Sequence, residues 1–161
     1  TIGIAGIFTM PIMGIVADRL VSRIGDEIKA RKLMLVFAPS MGIVACLFLF
    51  ASARSMAMAV VACILFAIYW AIEPGGVAGY AGAVYGSKSM GKIWGLATLI
   101  VMGIGPAVGS FMGGFLYDIS GSYTNSVIFA LCAYVASALF ALVLPRSAGA
   151  PEAAKEVVPT A

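Results

Sequence analysis

The chain has 161 residues, of which 62% are apolar and 11% are charged, and its mean hydropathy is +1.06. Soluble domains are about 45–50% apolar and about 25% charged, so this composition excludes an ordinary soluble enzyme or nucleic-acid-binding domain. The net charge of +3 does not indicate a nucleic-acid partner, because the basic residues fall in short clusters between apolar runs. The chain contains no histidine, which removes the commonest general base and a common metal ligand.

Long apolar runs separated by charged residues predict membrane-spanning helices. A spanning helix needs about 20 predominantly apolar residues, and helices are favoured because lipid offers no partner to an unpaired backbone group. We predict five spans, the first of them truncated, within an all-α membrane bundle at 1–146. A disordered tail is expected at 147–161, because it is rich in Ala, Pro, Glu and Lys. The predicted spans are 2–17, 33–53, 56–85, 93–117 and 127–144.

The positions of Lys and Arg predict the orientation of these spans. Nine of the ten lie in the first connection, the third connection or the tail, and only Arg54 lies in the second. With five spans, those three basic segments share one side of the membrane, which the positive-inside rule assigns to the cytoplasm. We therefore expect a multi-pass protein of the plasma (bacterial inner) membrane with a cytoplasmic C-terminus.

Three glycines recur at four-residue spacing in the fourth span, at Gly105, Gly109 and Gly113, and so share one helix face. Small-residue faces allow helices in lipid to approach closely. Pro106 removes a backbone donor beside this face and predicts a kink. The pattern leaves two interpretations open, static helix packing or a helix that bends and slides during function.

Glu73 is the one ionisable residue well inside a predicted span. A carboxylate in the membrane is costly and is by default a functional residue. Pro74 beside it frees the carbonyl of Trp70, as expected for backbone that lines a cavity. We hypothesise that Glu73 faces a central cavity and either carries a coupling proton or contacts substrate. The alternative is that it reaches the inner headgroups or pairs with Lys88 or Lys92.

Tyr69 and Tyr80 lie in the same span and are candidate residues of a substrate path, although spacing alone leaves open whether they face lipid. The three cysteines, Cys46, Cys63 and Cys132, lack CxxC spacing and are interpreted as small buried hydrophobic residues. No metal site or cofactor is predicted.

A familiar pattern surrounds the first basic connection: Gly14, then Asp18-Arg19, then a basic segment that ends at Arg31-Lys32. It resembles the signature loop of the major facilitator superfamily, although the interval between the two charged pairs is longer than usual. The resemblance implies a fold of twelve helices in two parallel halves that works by alternating access. It also implies a gating loop in which Asp18, Arg19, Arg31 and Lys32 latch the cytoplasmic side.

Two further stretches refine the resemblance. Gly105–Gly109 and Gly113–Tyr123 are similar to the eleventh helix and outer turn of that family, which implies its C-terminal half, with the first half missing from this segment. The stretch from Glu73 to Tyr123 is similar to the oxalate/formate antiporter and monocarboxylate transporter branch, chiefly in residues 85–95 and in the Gly-Ser-Tyr turn at 121–123. That branch implies a small organic anion as substrate, with a coupling ion or counter-substrate. This chain departs from it, because residues 93–117 contain no cationic side chain.

The sequence also leaves other functions open besides transport of an organic anion. Gly105–Gly109 also matches a motif of drug–proton antiporters, which would make the chain an N-terminal half of the same superfamily. A non-transporting assembly subunit is a third possibility, but it needs no buried carboxylate. We predict that the chain is not an enzyme, because it has no histidine and only scattered Cys and Ser. The absence of a GxxxxGK[ST] motif favours secondary rather than ATP-driven transport.

Overall fold

The computed structural model describes residues 2–52, 55–86 and 90–145, which form an all-helical bundle. A π-helical segment, Leu99–Ile104, joins α4 and α5 into one continuous helix, Met90–Ser120. The helices are α1 (Ile2–Ile24), α2 (Glu27–Ala51), α3 (Met56–Tyr85), α4 (Met90–Thr98), α5 (Gly105–Ser120) and α6 (Thr124–Val143).

Within the described ranges, four helices are long and apolar enough to cross a membrane: α2, α3, Met90–Ser120 and α6. Large apolar side chains are exposed along their outer faces, among them Phe111 on α5 and Phe140 on α6, which are 68% and 76% exposed. Such surfaces are unfavourable in water and suit a lipid environment. The chain therefore has the properties of an integral membrane protein, and its expected first span corresponds to α1, which is not one of these four.

The core of the bundle forms around α2, which packs against α1, α3 and α6. One cluster of buried side chains joins Leu35 on α2, Tyr80 on α3 and Ala141 on α6. A second joins Met34 and Ala38 on α2 to Ile72 on α3, with side chains of α1 packed against it. The continuous helix Met90–Ser120 is different, because among the described helices it packs against α3 and α6 alone and none of its described residues is buried.

One end of the bundle, which we call the basic end, is formed by the start of α2, the end of α3 and the end of α6. Lys32 of α2 donates from Nζ to the carbonyls of Leu142 and Leu144, at 2.7 and 2.6 Å. The hydroxyl of Tyr80 on α3 donates to the carbonyl of Pro145 at 2.8 Å. The chain therefore enters α2, leaves α3 and leaves α6 at the same end, as the predicted alternation of spans requires.

The connection between α1 and α2 is shorter than expected. The charged residues from Asp18 onward were expected to begin a loop, but α1 continues to Ile24 and α2 begins at Glu27. The prediction was wrong because a charged side chain ends contact with lipid without ending the helical hydrogen bonds. The helix ends instead at Gly25, whose φ of +69° favours glycine.

Asp26 follows directly and caps α2, because its side chain accepts from the backbone N–H of Lys29 at 3.0 Å. The pKa of Asp26 lies below its ordinary value, chiefly because that N–H and the Lys29 ammonium stabilise the carboxylate. Arg31 and Lys32 therefore lie on the first turns of α2, so the four residues of the expected gating loop belong to two helices.

The remaining predicted boundaries differ by smaller amounts. The span predicted at 56–85 coincides with α3, which is capped by Ser55 and ends at Gly86, where φ is +74°. The helices expected at 93–117 and 127–144 correspond to Met90–Ser120 and Thr124–Val143. Both helices begin three residues before the predicted span, because the polar residues that precede the apolar run are also helical. The predicted tail at 147–161 lies outside the described residues, as do Arg54 and Lys88.

Candidate functional site

Glu73 lies on the face of α3 that points between α6 and the continuous helix. Its side chain lines three adjoining cavities of about 740, 200 and 40 Å³. We call the largest of them the Glu73 cleft. Glu73 lies six residues from Gly79, where the guanidinium of Arg31 packs on α3, and this spacing corresponds to about 9 Å along the helix. The carboxyl group is thus inside the apolar part of the bundle but nearer the basic end.

The walls of the Glu73 cleft come from three helices that pack loosely there. The α3 wall is aromatic and acidic, the wall from the π segment and α5 is apolar and small, and the α6 wall mixes aromatic, small and hydroxyl side chains. The lining residues are Tyr69, Trp70, Glu73, Ile100, Val101, Ile104, Gly105, Pro106, Val108, Gly109, Phe129, Ala130, Ala133, Tyr134 and Ser137.

Two tyrosines stand beside the carboxyl group. Tyr69 precedes Glu73 by one helical turn and lines two of the same cavities. The ring of Tyr69 meets that of Tyr134 edge to face, with centroids 4.9 Å apart and an interplanar angle of 77°. This geometry is favourable for aromatic pairs. The pair therefore forms a fixed wall where α3 meets α6.

Tyr134 is held in place from behind by α2. A Cβ atom at Gly42 would lie 2.6 Å from Cδ1 and 2.7 Å from Cε1 of the Tyr134 ring, so the ring rests directly on the backbone of α2. Only glycine leaves room for this approach. The contact between Gly42 and the Tyr134 ring thus helps to fix the rotation of α6 and the position of Tyr134 in the cleft wall.

We expect Gly42→Ala to destabilise the protein by about 1–3 kcal/mol, because the added methyl group overpacks the contact between α2 and α6. The Tyr134 ring must shift and lose its edge contact with Tyr69. The measurement is thermal unfolding of the purified protein in detergent. Gly95→Ala is the matched control, since no atom lies within 4 Å of its Cβ position and alanine favours a helix. Equal melting temperatures for the two variants would contradict the packing described here.

The backbone near the cleft departs from regular α-helical hydrogen bonding. Pro74 has no N–H to donate, so the carbonyl of Trp70 lacks its usual partner on α3. On the opposite wall, the N–H of Gly105 donates to Ile100, five residues earlier, in the π segment just before Pro106. Such π segments occur often at functional sites and where helices bend. The π segment thus widens the helical turn directly before Pro106, the residue at which the sequence predicts a kink.

The charge of the cleft comes from Glu73 alone among the described lining residues. No salt bridge involves Glu73 in the part of the chain that the structure describes, so the proposed pairing with Lys92 is not formed, and Lys88 lies outside that part. The lining residues of all three cavities on α2, α3, α6 and the continuous helix include no Lys or Arg. The site is therefore an acidic pocket with aromatic walls.

The structure brings together some of the predicted site residues and separates others. Glu73 and Tyr69 share the cleft with Gly105, Pro106 and Gly109. Gly113 lies further along α5, where its carbonyl accepts from Ser126 at 3.0 Å. Tyr80 was expected on the substrate path but is 5% exposed in the core, because its hydroxyl is held by Pro145.

The glycine face of α5 is not a packed interface within the described chain. No atom lies within 4 Å of the Cβ position of Gly109 or Gly113, and Gly105 meets only the carbonyl of Ile100, at 3.2 Å. Gly105 and Gly109 instead widen the Glu73 cleft. Static packing of this face against another described helix is therefore not observed.

The four residues expected to form a gate lie at the basic end. Asp18 and Arg31 line a separate cavity of about 220 Å³ between α1, α2 and α3. Arg31 donates from Nε to Glu27 at 2.8 Å, whereas Lys32 is 8% exposed and binds the end of α6. Arg19 is exposed on α1. In the described ranges, none of the four forms an ion pair with another of them.

Three polar residues that line these cavities were not predicted: Tyr134 and Ser137 on α6, in the Glu73 cleft, and Thr98 on α4, in the smallest cavity. The spacing of Tyr134 and Ser137, three apart in the apolar part of α6, is the one available signal. The cysteines also differ from expectation, since only Cys46 is buried, while Cys63 is partly exposed and Cys132 is exposed. Within the described residues no cluster of His, Cys, Asp or Glu is suited to a metal ion.

Comparison with known proteins yields no matching family profile, no matching curated protein and no matching solved structure.

Proposed function

We propose that this chain is part of a secondary active transporter that moves a small organic solute across a membrane by alternating access. The observation that carries the proposal is a single carboxylate inside the apolar bundle, in a cleft of about 740 Å³. Small-molecule sites commonly have volumes of about 300–1,000 Å³. Ionisable groups at such positions characteristically mark substrate or proton pathways.

The unequal packing of the helices supports a moving element. α1, α2, α3 and α6 share the core, whereas Met90–Ser120 contacts just α3 and α6 in the part of the chain that the structure describes. That helix also contains the π segment, Pro106 and the glycine face. Pro74 introduces a second irregularity on the facing wall. A helix that is weakly packed and locally irregular changes its position at a lower free-energy cost than one buried in the core.

We further propose, from the resemblance of the signature residues, that the chain is the C-terminal half of a major facilitator fold in the plasma membrane, with its C-terminus in the cytoplasm. In this proposal α1 is the remaining span and the other half of the polypeptide completes the solute site. Asp18, Arg19, Arg31 and Lys32 would then act at the basic end, on the cytoplasmic side.

The organic anion implied by the resemblance remains a proposal for the substrate. The described lining of the Glu73 cleft supplies no positive charge to such an anion. An anionic substrate therefore requires a cationic side chain from outside the described residues.

A second candidate function is a non-transporting assembly subunit. The observation that favours it is the open glycine face of α5, which offers close approach to a helix of a partner. An assembly role leaves the Glu73 carboxylate without a function. We therefore prefer transport.

Solute uptake tests the proposal directly. The full-length polypeptide is reconstituted into liposomes, and uptake of radiolabelled organic anions, cations and neutral solutes is measured with an imposed pH or sodium gradient or with solute inside. We expect gradient-dependent or exchange-dependent uptake of at least one solute, and none in protein-free liposomes. Absence of uptake under every gradient, with the protein folded, would contradict transport and favour an assembly role.

A further inference from the structure

We propose that the Glu73 cleft binds the ammonium group of an organic cation, such as a protonated alkylamine or a quaternary ammonium compound. The proposal names the substrate class of the site and so rests on the proposed transport function. It departs from the organic anion that the resemblance implies.

The charge of the Glu73 cleft favours a cationic ligand. Glu73 is the one charged side chain among the described residues that line the cleft, and the two smaller cavities that it also lines add no cation. The nearest lysine in sequence on a wall helix, Lys92, is exposed on α4. Lys32 is engaged by two carbonyls at the end of α6. A cationic ligand is attracted by the carboxylate in this cleft, whereas an anionic ligand is repelled by it.

The aromatic lining of the cleft also favours an ammonium group. Tyr69, Trp70, Phe129 and Tyr134 all line the cleft that contains the carboxylate. The negative faces of aromatic rings attract ammonium groups, most strongly when the cation is desolvated, and quaternary ammonium compounds are recognised in this way. A cleft lined by four aromatic side chains and one carboxylate suits an alkylated ammonium better than a strongly hydrated metal cation.

The remaining surface of the cleft favours a ligand with an apolar body. Ile100, Val101, Ile104 and Val108 form an apolar wall opposite α3. Gly105 and Gly109 leave space beside it, since no side chain fills their Cβ positions. A ligand with an apolar body and one positive group therefore matches both walls at once.

The test compares a cation with an anion of similar size on the full-length protein in detergent. The probes are radiolabelled benzyltrimethylammonium and phenylacetate, measured by equilibrium dialysis. We expect benzyltrimethylammonium to bind at least about tenfold more tightly than phenylacetate, because the cation gains the carboxylate and the aromatic faces. This comparison needs no variant. Equal binding of the two probes, or tighter binding of phenylacetate, would overturn the proposal.

Variants assign the binding to this cleft. Glu73→Gln is expected to weaken benzyltrimethylammonium binding by about tenfold or more, and Tyr134→Leu by several-fold, while Tyr134→Phe retains the aromatic face and the affinity. Asp118→Asn is the matched control, because it makes the same chemical change at an exposed position near the end of α5. Unchanged binding by Glu73→Gln would overturn the assignment. Folding of each variant is checked by its melting temperature.

The outcomes separate this proposal from transport itself. Cation-selective binding without uptake of any solute would leave the cleft assignment standing and contradict transport. Uptake of organic anions without cation binding would leave transport standing and overturn the proposed substrate class.

Discussion

Replacing Glu73 with glutamine is expected to reduce solute uptake by at least about tenfold, which corresponds to about 1.4 kcal/mol of lost interaction. Glutamine keeps the size and polarity of the side chain but has no charge and does not take up or release a proton. The remaining cavity lining contains no carboxylate to replace it in the described chain. Both proposed roles of Glu73, solute contact and proton coupling, are therefore lost in the same variant.

The measurement is the initial rate of uptake into liposomes at several external pH values. Loss of uptake that cannot be restored by more solute, together with a flattened pH profile, indicates proton coupling. Loss that high solute concentration restores indicates solute contact. Asp118→Asn, which removes an exposed carboxylate, is expected to retain the uptake rate. An unchanged rate and pH profile in Glu73→Gln would contradict a role for Glu73 in transport.

Replacing Lys32 with methionine is expected to lower the free energy of unfolding by about 2–3 kcal/mol, since a hydrogen bond from a charged donor contributes about 1.5–3 kcal/mol. Methionine retains much of the length and packing of the lysine stem. The change removes the donor to Leu142 and Leu144 and the positive charge at the C-terminal end of α6. The end of α6 is then held by Tyr80 through Pro145.

The check is the melting temperature of the purified protein in detergent, where we expect a decrease of about 4–12 °C. Lys29→Met is the matched control one turn earlier on α2. The Lys29 side chain is 59% exposed and pairs with Asp26 at 3.0 Å, and such surface pairs contribute about 0–1 kcal/mol. Equal effects of the two substitutions would show that the buried contact of Lys32 does not stabilise the fold.

The fold was predictable where a cap coincides with the end of an apolar run. The prediction for α3 succeeded because Ser55 and Gly86 bound its apolar run, and each favours a helix end. The prediction for the start of α2 failed because charge was treated as a helix boundary. A helix satisfies its own backbone groups in lipid and in water alike, so charged residues mark the limit of the membrane and Gly25 marks the limit of the helix.

The candidate site was predictable only within single helices. Tyr69 and Glu73 are four residues apart, so their shared face follows from helical geometry alone. Tyr134 and Ser137 join them through the packing of α6 on Gly42 of α2, a contact between residues far apart in sequence. Tyr80 lies on a similar face of α3 but falls at the end where α6 closes against α3. Whether a residue lines the cleft depends on how each helix is rotated and on where neighbouring helices diverge. Both are set by contacts between helices and do not follow from the sequence of a single helix.

The central claim is that the Glu73 cleft is open to water inside a membrane-embedded bundle, and thiol labelling in the membrane tests it most directly. Single cysteines are placed at Ser137, which lines the cleft, and at Leu139, which is 59% exposed and not part of it, in a variant without Cys46, Cys63 and Cys132. Only a thiolate in contact with water reacts with a charged, water-soluble thiol reagent. We therefore predict labelling at least about tenfold faster at position 137 than at position 139. Equal or faster labelling at position 139 would contradict the claim.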